Sequence, residues 1–153
     1  TLVRVEGFYS ELFEKNIIPL SAGGDHLVTL PIMRALCRER PCGMVHFDAH
    51  TDTWDRYFGD SKYTHGTPFR RAIEEGLLDP KRTVQIGIRG GLYSDKDKEW
   101  GLDQGIRVIE IEEFFDLGVP AVIEEARRVV GDQACYLSFD VDALDPVYAP
   151  GTG

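Results

Sequence analysis

Short apolar runs recur along the chain, separated by longer segments in which apolar and polar residues alternate irregularly. Most of the runs are apolar at every position, which is typical of strands in a parallel sheet whose two faces are covered by helices. We therefore predict five strands, at residues 17–20, 44–47, 84–88, 108–111 and 135–139.

Three of the segments between these runs carry helix signals. Residues 27–40 have a helical apolar pattern, in which Pro31 is tolerated only near the first turn and Pro41 ends the helix. Residues 68–75 follow a threonine cap and begin with proline, and residues 120–130 have one apolar stripe between a proline and a glycine. The alternation predicts an α/β fold with three layers, α/β/α, in which the middle layer is a mainly parallel sheet and the crossovers are right-handed.

Composition limits the classes of partner. The chain has 153 residues, 42% hydrophobic and 28% charged, which suits one globular domain. It has no apolar run of the roughly 20 residues that a membrane span needs and no signal-peptide core, so we expect a cytoplasmic protein without a membrane partner. The net charge of -9, without a basic cluster, argues against nucleic acid. Three cysteines without Cys-x-x-Cys spacing predict buried or free thiols.

Metal-type ligands follow three of the predicted strands directly, in GGDH at 23–26, DAHTD at 48–52 and DVD at 140–142. The carboxyl ends of parallel strands meet at one edge of a sheet, and residues at i, i+2 and i+4 of an extended chain point the same way. One such segment alone is as often a capped loop, but three together predict a metal site. The six candidate ligands are His26, Asp48, His50, Asp52, Asp140 and Asp142.

This ligand set also indicates the kind of centre. Four carboxylates and two imidazoles exceed what one tetrahedral ion needs, and they suit two ions bridged by carboxylates. A set that is rich in oxygen and lacks thiolate favours manganese over zinc or copper. Such a pair lowers the pKa of a bound water toward neutrality. We therefore predict a hydrolytic centre with two Mn²⁺ ions per subunit.

The three motifs, together with THG at 64–66 and SFDVDALDP...APGTG at the end, resemble the ureohydrolases, the family of arginase and agmatinase. The resemblance covers residues 17–153, and three separated motifs in order make it specific. It implies an arginase-like fold in which Asp48 and Asp140 bridge the two ions and belong to the catalytic machinery. One ion would be held by His26, Asp48, Asp52 and Asp140, and the other by Asp48, His50, Asp140 and Asp142.

His65 of the THG motif matches the histidine that this family uses for proton transfer near the substrate. Chemistry requires such a group, because the tetrahedral adduct collapses only when the leaving amine is protonated, and the intrinsic pKa of histidine suits the role. The candidate substrate contacts are Trp54 and the three residues of the motif, Thr64, His65 and Gly66.

Other residues near the motifs keep two interpretations. The aromatic residues Trp54, Tyr57, Phe58 and Tyr63 either line a substrate pocket or pack ordinarily. Arg89, at the end of a predicted strand, either contacts substrate or orders a loop. His46 lies within its strand, and we predict that it is a core residue rather than a ligand.

Ureohydrolases release urea from a guanidino group and differ in the rest of the substrate. The interval TWDRYFGDSKYT lacks the Ser-Gly-Asn segment typical of arginases, and the chain resembles the agmatinase branch most. This implies a small guanidino substrate, most simply agmatine cleaved to putrescine and urea, with Asp55 or Asp60 attracting its ammonium. Guanidinobutyrase, guanidinopropionase and arginase activities are alternatives. Deacetylase-like amidohydrolases use one zinc, and the second group of ligands argues against that class.

Family members usually begin several tens of residues earlier and continue beyond APGTG, where a glutamate pairs with the guanidinium. We therefore interpret residues 1–153 as part of a single ureohydrolase catalytic domain, truncated at both ends, which alone hydrolyses guanidino substrates poorly or not at all. A non-catalytic fragment that keeps the fold is the competing interpretation. The resemblance also implies a homo-oligomer, a trimer or a hexamer.

Overall fold

The computed structural model of the chain describes residues 1–91 and 96–152. The chain forms two compact units. Unit 1 contains residues 1–41 and 52–78, and unit 2 contains residues 42–51 and the described residues from 79 onward. The predicted single domain stays a prediction, and each unit is described by itself.

Unit 1 is helical. Helix α1 spans Leu2–Glu14, a 3-10 turn spans His26–Val28, α2 spans Thr29–Leu36 and α3 spans Pro68–Glu74. Helix α2 packs against both α1 and α3, and it buries Leu30 and Met33 completely. Helix α3 has Pro68 at its start and is followed by Gly76, whose φ of 72° is the left-handed conformation that glycine adopts most easily. The predicted helix at 68–75 is therefore confirmed.

Two predictions in unit 1 were wrong. Residues 17–20 form no strand, and the side chains of Ile18 and Leu20 are 95% and 102% exposed. An apolar run becomes a strand only when a neighbouring strand accepts its backbone hydrogen bonds, and no strand in the described part of the chain does so for this run. Helix α2 ends at Leu36 rather than at residue 40, because residues 38–41 are exposed and offer no apolar face to bury.

Unit 2 contains a four-stranded parallel sheet. Its strands are β1 (Cys42–Phe47), β2 (Leu78–Ile88), β3 (Arg107–Glu110) and β4 (Cys135–Phe139), in the order β3-β2-β1-β4. Strand β1 pairs with β4 from Gly43↔Cys135 to Phe47↔Phe139. The α/β class and four of the five predicted strands are confirmed, although β2 begins six residues before the prediction.

Helix α5 (Ile111–Val130) supplies the core of unit 2. Its buried residues Val122, Ala126 and Val130 pack against apolar side chains of β2 and β3. The helix is interrupted at Gly118 (φ 74°, ψ 159°). The segment after this break corresponds to the predicted helix at 120–130, and the segment before it was not predicted. Helix α4 spans Lys96–Gln104.

Two further observations bear on the composition of the chain. Among the helices of the described residues, none combines the length and the apolar character that crossing a membrane requires. Cys37 and Cys42 are disulfide-bonded, so the prediction of thiols was wrong for these two. Cys135 is a free, exposed cysteine.

Candidate active site

The strand ends of unit 2 place two of the predicted ligands at one edge of the sheet. Asp48 follows β1 directly, is 1% exposed and donates its backbone N–H to the carbonyl of Ile86 on β2 at 3.2 Å. Asp140 follows β4 directly and donates its N–H to the carbonyl of Phe47 at 2.9 Å. Because the strands are parallel, both carboxylates leave the sheet at its carboxyl edge.

Asp48, His50 and Asp142 converge in this region. Their ligand atoms all lie within 4.8 Å of one another. His50 Nδ1 is 3.0 Å from Asp142 Oδ2 and 3.6 Å from Asp48 Oδ1. Backbone amides fix both carboxylates: the His50 N–H donates to Asp48 Oδ1 at 2.6 Å, and the Ala49 N–H donates to Asp142 Oδ1 at 3.0 Å. The carboxylate of Asp140 accepts the Asp142 N–H at 3.1 Å and caps the 3-10 turn Val141–Ala143.

The electrostatics of this cluster fit a bound cation. The hydrogen bond from His50 to Asp142, together with the nearby Asp48 carboxylate, raises the pKa of the imidazole to about 10. The two carboxylates therefore already stabilise a positive charge at the point where they meet. A divalent cation supplies that charge equally well, provided that it displaces the imidazole proton. The three side chains thus suit a hard metal ion by donor type, charge and spacing.

Unit 1 holds the other two predicted ligands as a pair. His26 Nδ1 lies 2.9 Å from Asp52 Oδ2, and both side chains are 9% exposed. The edge of the His26 ring contacts Phe69 of α3, with centroids 5.1 Å apart. Asp52 has a φ of 51°, a left-handed conformation that aspartate tolerates better than most residues. Its carbonyl accepts the Phe69 N–H at 3.2 Å, so helix α3 holds both members of the pair.

His46 and Gln85 form a buried network behind Asp48 that the sequence alone did not indicate. Both side chains are 0% exposed. Gln85 Nε2 lies 3.1 Å from His46 Nδ1 and donates to the carbonyl of Thr51 at 2.6 Å. Because the amide nitrogen can only donate, His46 Nδ1 accepts, and its Nε2–H donates to Asp48 Oδ2 at 2.7 Å. His46 lies in the core, as predicted, and there it orients a candidate ligand.

Replacement of Gln85 by methionine tests this network. Methionine has a similar volume but no donor, so the buried His46 nitrogen and Thr51 carbonyl each lose a hydrogen bond. We expect a loss of about 2 kcal/mol in the free energy of unfolding, measured by urea denaturation. The matched control is Gln133→Met at an exposed position, with an expected change within about 0.5 kcal/mol. Equal effects of the two substitutions would contradict the role given to Gln85.

In unit 1 the structure brings together three of the four residues predicted to contact substrate. The Trp54 N–H donates to the carbonyl of Gly66 at 3.0 Å. A Cβ on Gly66 would lie 2.6 Å from Trp54 Cε3, so only glycine allows this approach. Tyr57 lies between Trp54 and His65, with ring centroids 4.7 Å and 5.1 Å away. His65 therefore lies against an aromatic cluster formed by Trp54, Tyr57 and Phe58.

Thr64, the fourth of these residues, is 8% exposed. Its backbone is fixed by Thr67, whose Oγ1 accepts the Thr64 N–H at 3.0 Å. Its own Oγ1 is buried and has no hydrogen-bond partner among the residues that the structure describes. A buried hydroxyl in this state can bind a polar group of a ligand.

The two acidic residues predicted to attract a substrate ammonium are paired with arginines. Asp55 Oδ1 accepts from Arg71 Nη2 at 3.1 Å, and Asp60 Oδ1 accepts from Arg56 Nη1 at 3.0 Å. The hydrogen bond from Arg71, reinforced by the charge of Arg70, holds the pKa of Asp55 below its ordinary value. Asp55 is therefore ionised, but its charge is already compensated.

Comparison with known proteins gives a consistent result. The sequence profile of the arginase family matches residues 1–153. The chain is 69% identical over 153 residues to guanidinopropionase of Pseudomonas aeruginosa, covering 100% of this chain and 48% of that protein. It is 47% identical over 151 residues to mitochondrial agmatinase of Gallus gallus, covering 98% and 44%. The solved structure of proclavaminate amidino hydrolase from Streptomyces clavuligerus superposes with a TM-score of 0.87, at 37% identity, covering 99% and 50%. The chain therefore spans about half the length of these proteins.

Proposed function

The chain belongs to the arginase family, and from this premise we propose that the whole protein hydrolyses the guanidino group of a small substrate to urea and an amine. The observation that carries the proposal is the convergence of Asp48, His50 and Asp142 at the carboxyl edge of the sheet. Carboxylates gathered in this way around an imidazole suit hydrolysis assisted by metal ions.

We propose that two Mn²⁺ ions bind to the six ligands predicted from the sequence, with Asp48 and Asp140 shared between them. The hard oxygen donors of Asp48 and Asp142, which favour a positive charge beside them, support a divalent ion in unit 2. The buried His26–Asp52 pair of unit 1 offers an imidazole and a carboxylate, which are donor types that bind such an ion. When bound, the ions would lower the pKa of a water molecule and so supply the nucleophile.

His65 then carries the proton that the reaction requires. Its imidazole donates a proton to the leaving nitrogen of the tetrahedral adduct, which converts that nitrogen into an amine that departs readily. The rings of Tyr57 and Phe58 lie 5.1 Å and 5.7 Å from the imidazole, and they would limit the access of water. The substrate lies against Trp54, Thr64, His65 and Gly66 in this proposal, with the Thr64 hydroxyl available for a hydrogen bond.

The proposed substrate is a short guanidino acid. The support is the identity of 69% to guanidinopropionase, against 47% to agmatinase. The arginine pairs of Asp55 and Asp60 agree with it, because an arginine already competes with the ammonium of agmatine for each carboxylate. Agmatine is the second candidate, favoured by the similarity to agmatinase and by the 95% exposure of the Asp60 side chain.

Parallel assays of the whole protein decide between these substrates. We expect kcat/KM for 3-guanidinopropionate to exceed that for agmatine by roughly 10²-fold. A site without a free carboxylate leaves the ammonium of agmatine unpaired, and a site that leaves a charged group of a ligand unpaired discriminates strongly against that ligand. Urea release from 3-guanidinopropionate, 4-guanidinobutyrate, agmatine and arginine is measured with saturating manganese. A higher kcat/KM for agmatine would contradict the guanidino acid and restore the assignment made from the sequence.

Two further parts of the proposal rest on the sequence analysis. They are a homo-oligomer of three or six subunits, which the family resemblance implies, and a cytoplasmic location, which was expected from the composition of the chain. Light scattering of the purified whole protein measures the first, and fractionation of cells measures the second.

A further inference from the structure

Strand β2 supplies none of the six proposed ligands, yet Arg89 just after its end contacts a segment that does. Arg89 Nη2 donates to the backbone carbonyls of Asp142 at 2.7 Å and Leu144 at 2.9 Å. Arg89 Nη1 donates to the carbonyls of Gly87 at 3.2 Å and Ala143 at 3.4 Å. Three successive carbonyls of the segment that carries Asp142 are therefore held by one guanidinium.

This contact fixes the carbonyl groups of a segment whose Asp142 and Ala143 N–H groups are already bonded to Asp140. Asp142 lies in a 3-10 turn of only three residues, Val141–Ala143, and a turn of this length forms few hydrogen bonds within itself. The carbonyls at the end of a helical turn lack partners within it. A planar guanidinium with five N–H donors can bind several of them at once, which a lysine ammonium does less well. The position of the Asp142 carboxylate follows from the position of its backbone.

Arg89 and its neighbour Gly90 also hold the segment that carries His50. The N–H groups of Arg89 and Gly90 both donate to the carbonyl of Ala49, at 2.9 Å and 2.6 Å. A Cβ on Gly90 would lie 2.2 Å from His50 Cδ2 and 2.5 Å from His50 Nε2. The imidazole therefore occupies its position only because residue 90 has no side chain.

We propose that Arg89 is a positioning residue for the metal centre. It holds Asp142 against His50, and Gly90 leaves the space that the His50 ring occupies. Of the two roles that the sequence left open for Arg89, the four donations to backbone carbonyls favour the ordering of a loop. The inference rests on the proposed function for its consequence, because a misplaced ligand matters only where a metal binds.

The test compares Arg89→Met with Arg82→Met in the whole protein. Arg82 is a matched control because it lies on β2, the strand that Arg89 follows, and also binds backbone carbonyls, those of Val130 at 2.9 Å and Ala134 at 3.2 Å. Manganese affinity is measured by calorimetric titration. We expect Arg89→Met to weaken binding by roughly 10-fold to 100-fold, the usual cost of losing a group that orients a ligand. We expect Arg82→Met to lower stability without changing affinity.

A second readout needs no metal. In the metal-free protein, hydrogen–deuterium exchange at residues 140–144 should accelerate by roughly 10-fold in Arg89→Met, as expected when charge-assisted hydrogen bonds are lost, and should not change in Arg82→Met. A wild-type protein that binds no Mn²⁺ would overturn the metal centre, while exchange would still report whether Arg89 holds the segment. Unchanged exchange and unchanged affinity in Arg89→Met would overturn the inference itself.

A pair of glycine variants tests the same inference at the segment that carries His50. In Gly90→Ala the new Cβ collides with the His50 ring, so we expect manganese affinity to fall by roughly 10-fold or more. A Cβ on the neighbouring Gly91 would meet no atom of the described residues within 4 Å beyond its own chain neighbours. Gly91→Ala is therefore the control and should bind manganese like the wild type. Equal affinities in the two variants would contradict the role of Gly90.

Discussion

Replacing Asp48 with alanine in the whole protein is expected to abolish urea release and to reduce bound manganese from two ions per chain to fewer than one. In the proposed centre this carboxylate is shared by both ions, so its loss weakens both sites. It is also the group that His46, His50 and the backbone of residue 50 all contact. We expect a loss of at least about 10³-fold in kcat, since metal assistance contributes several kcal/mol to such reactions.

The measurement combines metal analysis of the purified variant with a urea assay at saturating manganese. Asp79→Ala is the matched control, because Asp79 also accepts a backbone N–H from the residue two positions on, that of Lys81 at 3.0 Å, but is no proposed ligand. The control should retain two ions and wild-type activity. A metal ratio in Asp48→Ala that equals the wild-type ratio would contradict the bridging role.

The second large effect is expected for His65→Asn. Asparagine keeps a polar side chain of moderate size but cannot transfer a proton at neutral pH. Positioned acid-base catalysis contributes roughly 10²-fold to 10⁴-fold, so we expect a fall of that size in kcat for urea release. Manganese content should stay at two ions per chain, because His65 is not among the proposed ligands.

The control for this substitution is Ser61→Ala, which changes an exposed side chain of the same loop. Its kcat should stay within about twofold of the wild type, as for most surface changes. A loss smaller than about threefold in His65→Asn would contradict proton transfer by this residue. Loss of metal from the same variant would instead place His65 among the ligands.

The sequence predicted the parts of the site that depend on local spacing. Asp48 and His50 alternate after an apolar strand, and Asp140 and Asp142 do the same, so their direction follows from the period of extended backbone. The structure brings Asp48, His50 and Asp142 together at the carboxyl ends of neighbouring strands. The rule that the carboxyl ends of parallel strands meet at one edge of the sheet is enough to predict that these ligands lie at that edge.

His26 shows where that reasoning fails. It was placed at the end of a strand at residues 17–20, but the structure has no strand there, and His26 begins a 3-10 turn before α2. The residue remains a candidate ligand through its pairing with Asp52, not through a strand end. An apolar run specifies that a segment prefers burial, but it does not specify a partner strand.

The partners of Gln85 and Arg89 could not be predicted from the sequence for a different reason. Gln85 is one polar residue within an apolar strand, and its contact with His46 depends on how β2 lies beside β1. The contacts of Arg89 with residues 142–144 join segments 53 to 55 positions apart. The order of strands in the sheet, β3-β2-β1-β4, brings these residues together, and no local pattern encodes that order.

A manganese titration of the metal-free whole protein tests the central claim most directly, with bound ions and urea release from 3-guanidinopropionate measured on the same samples. The proposed function predicts that urea release rises with bound manganese and saturates at two ions per chain. Saturation at one ion would contradict the binuclear centre. Binding of manganese without release of urea from any guanidino substrate would contradict the proposed activity.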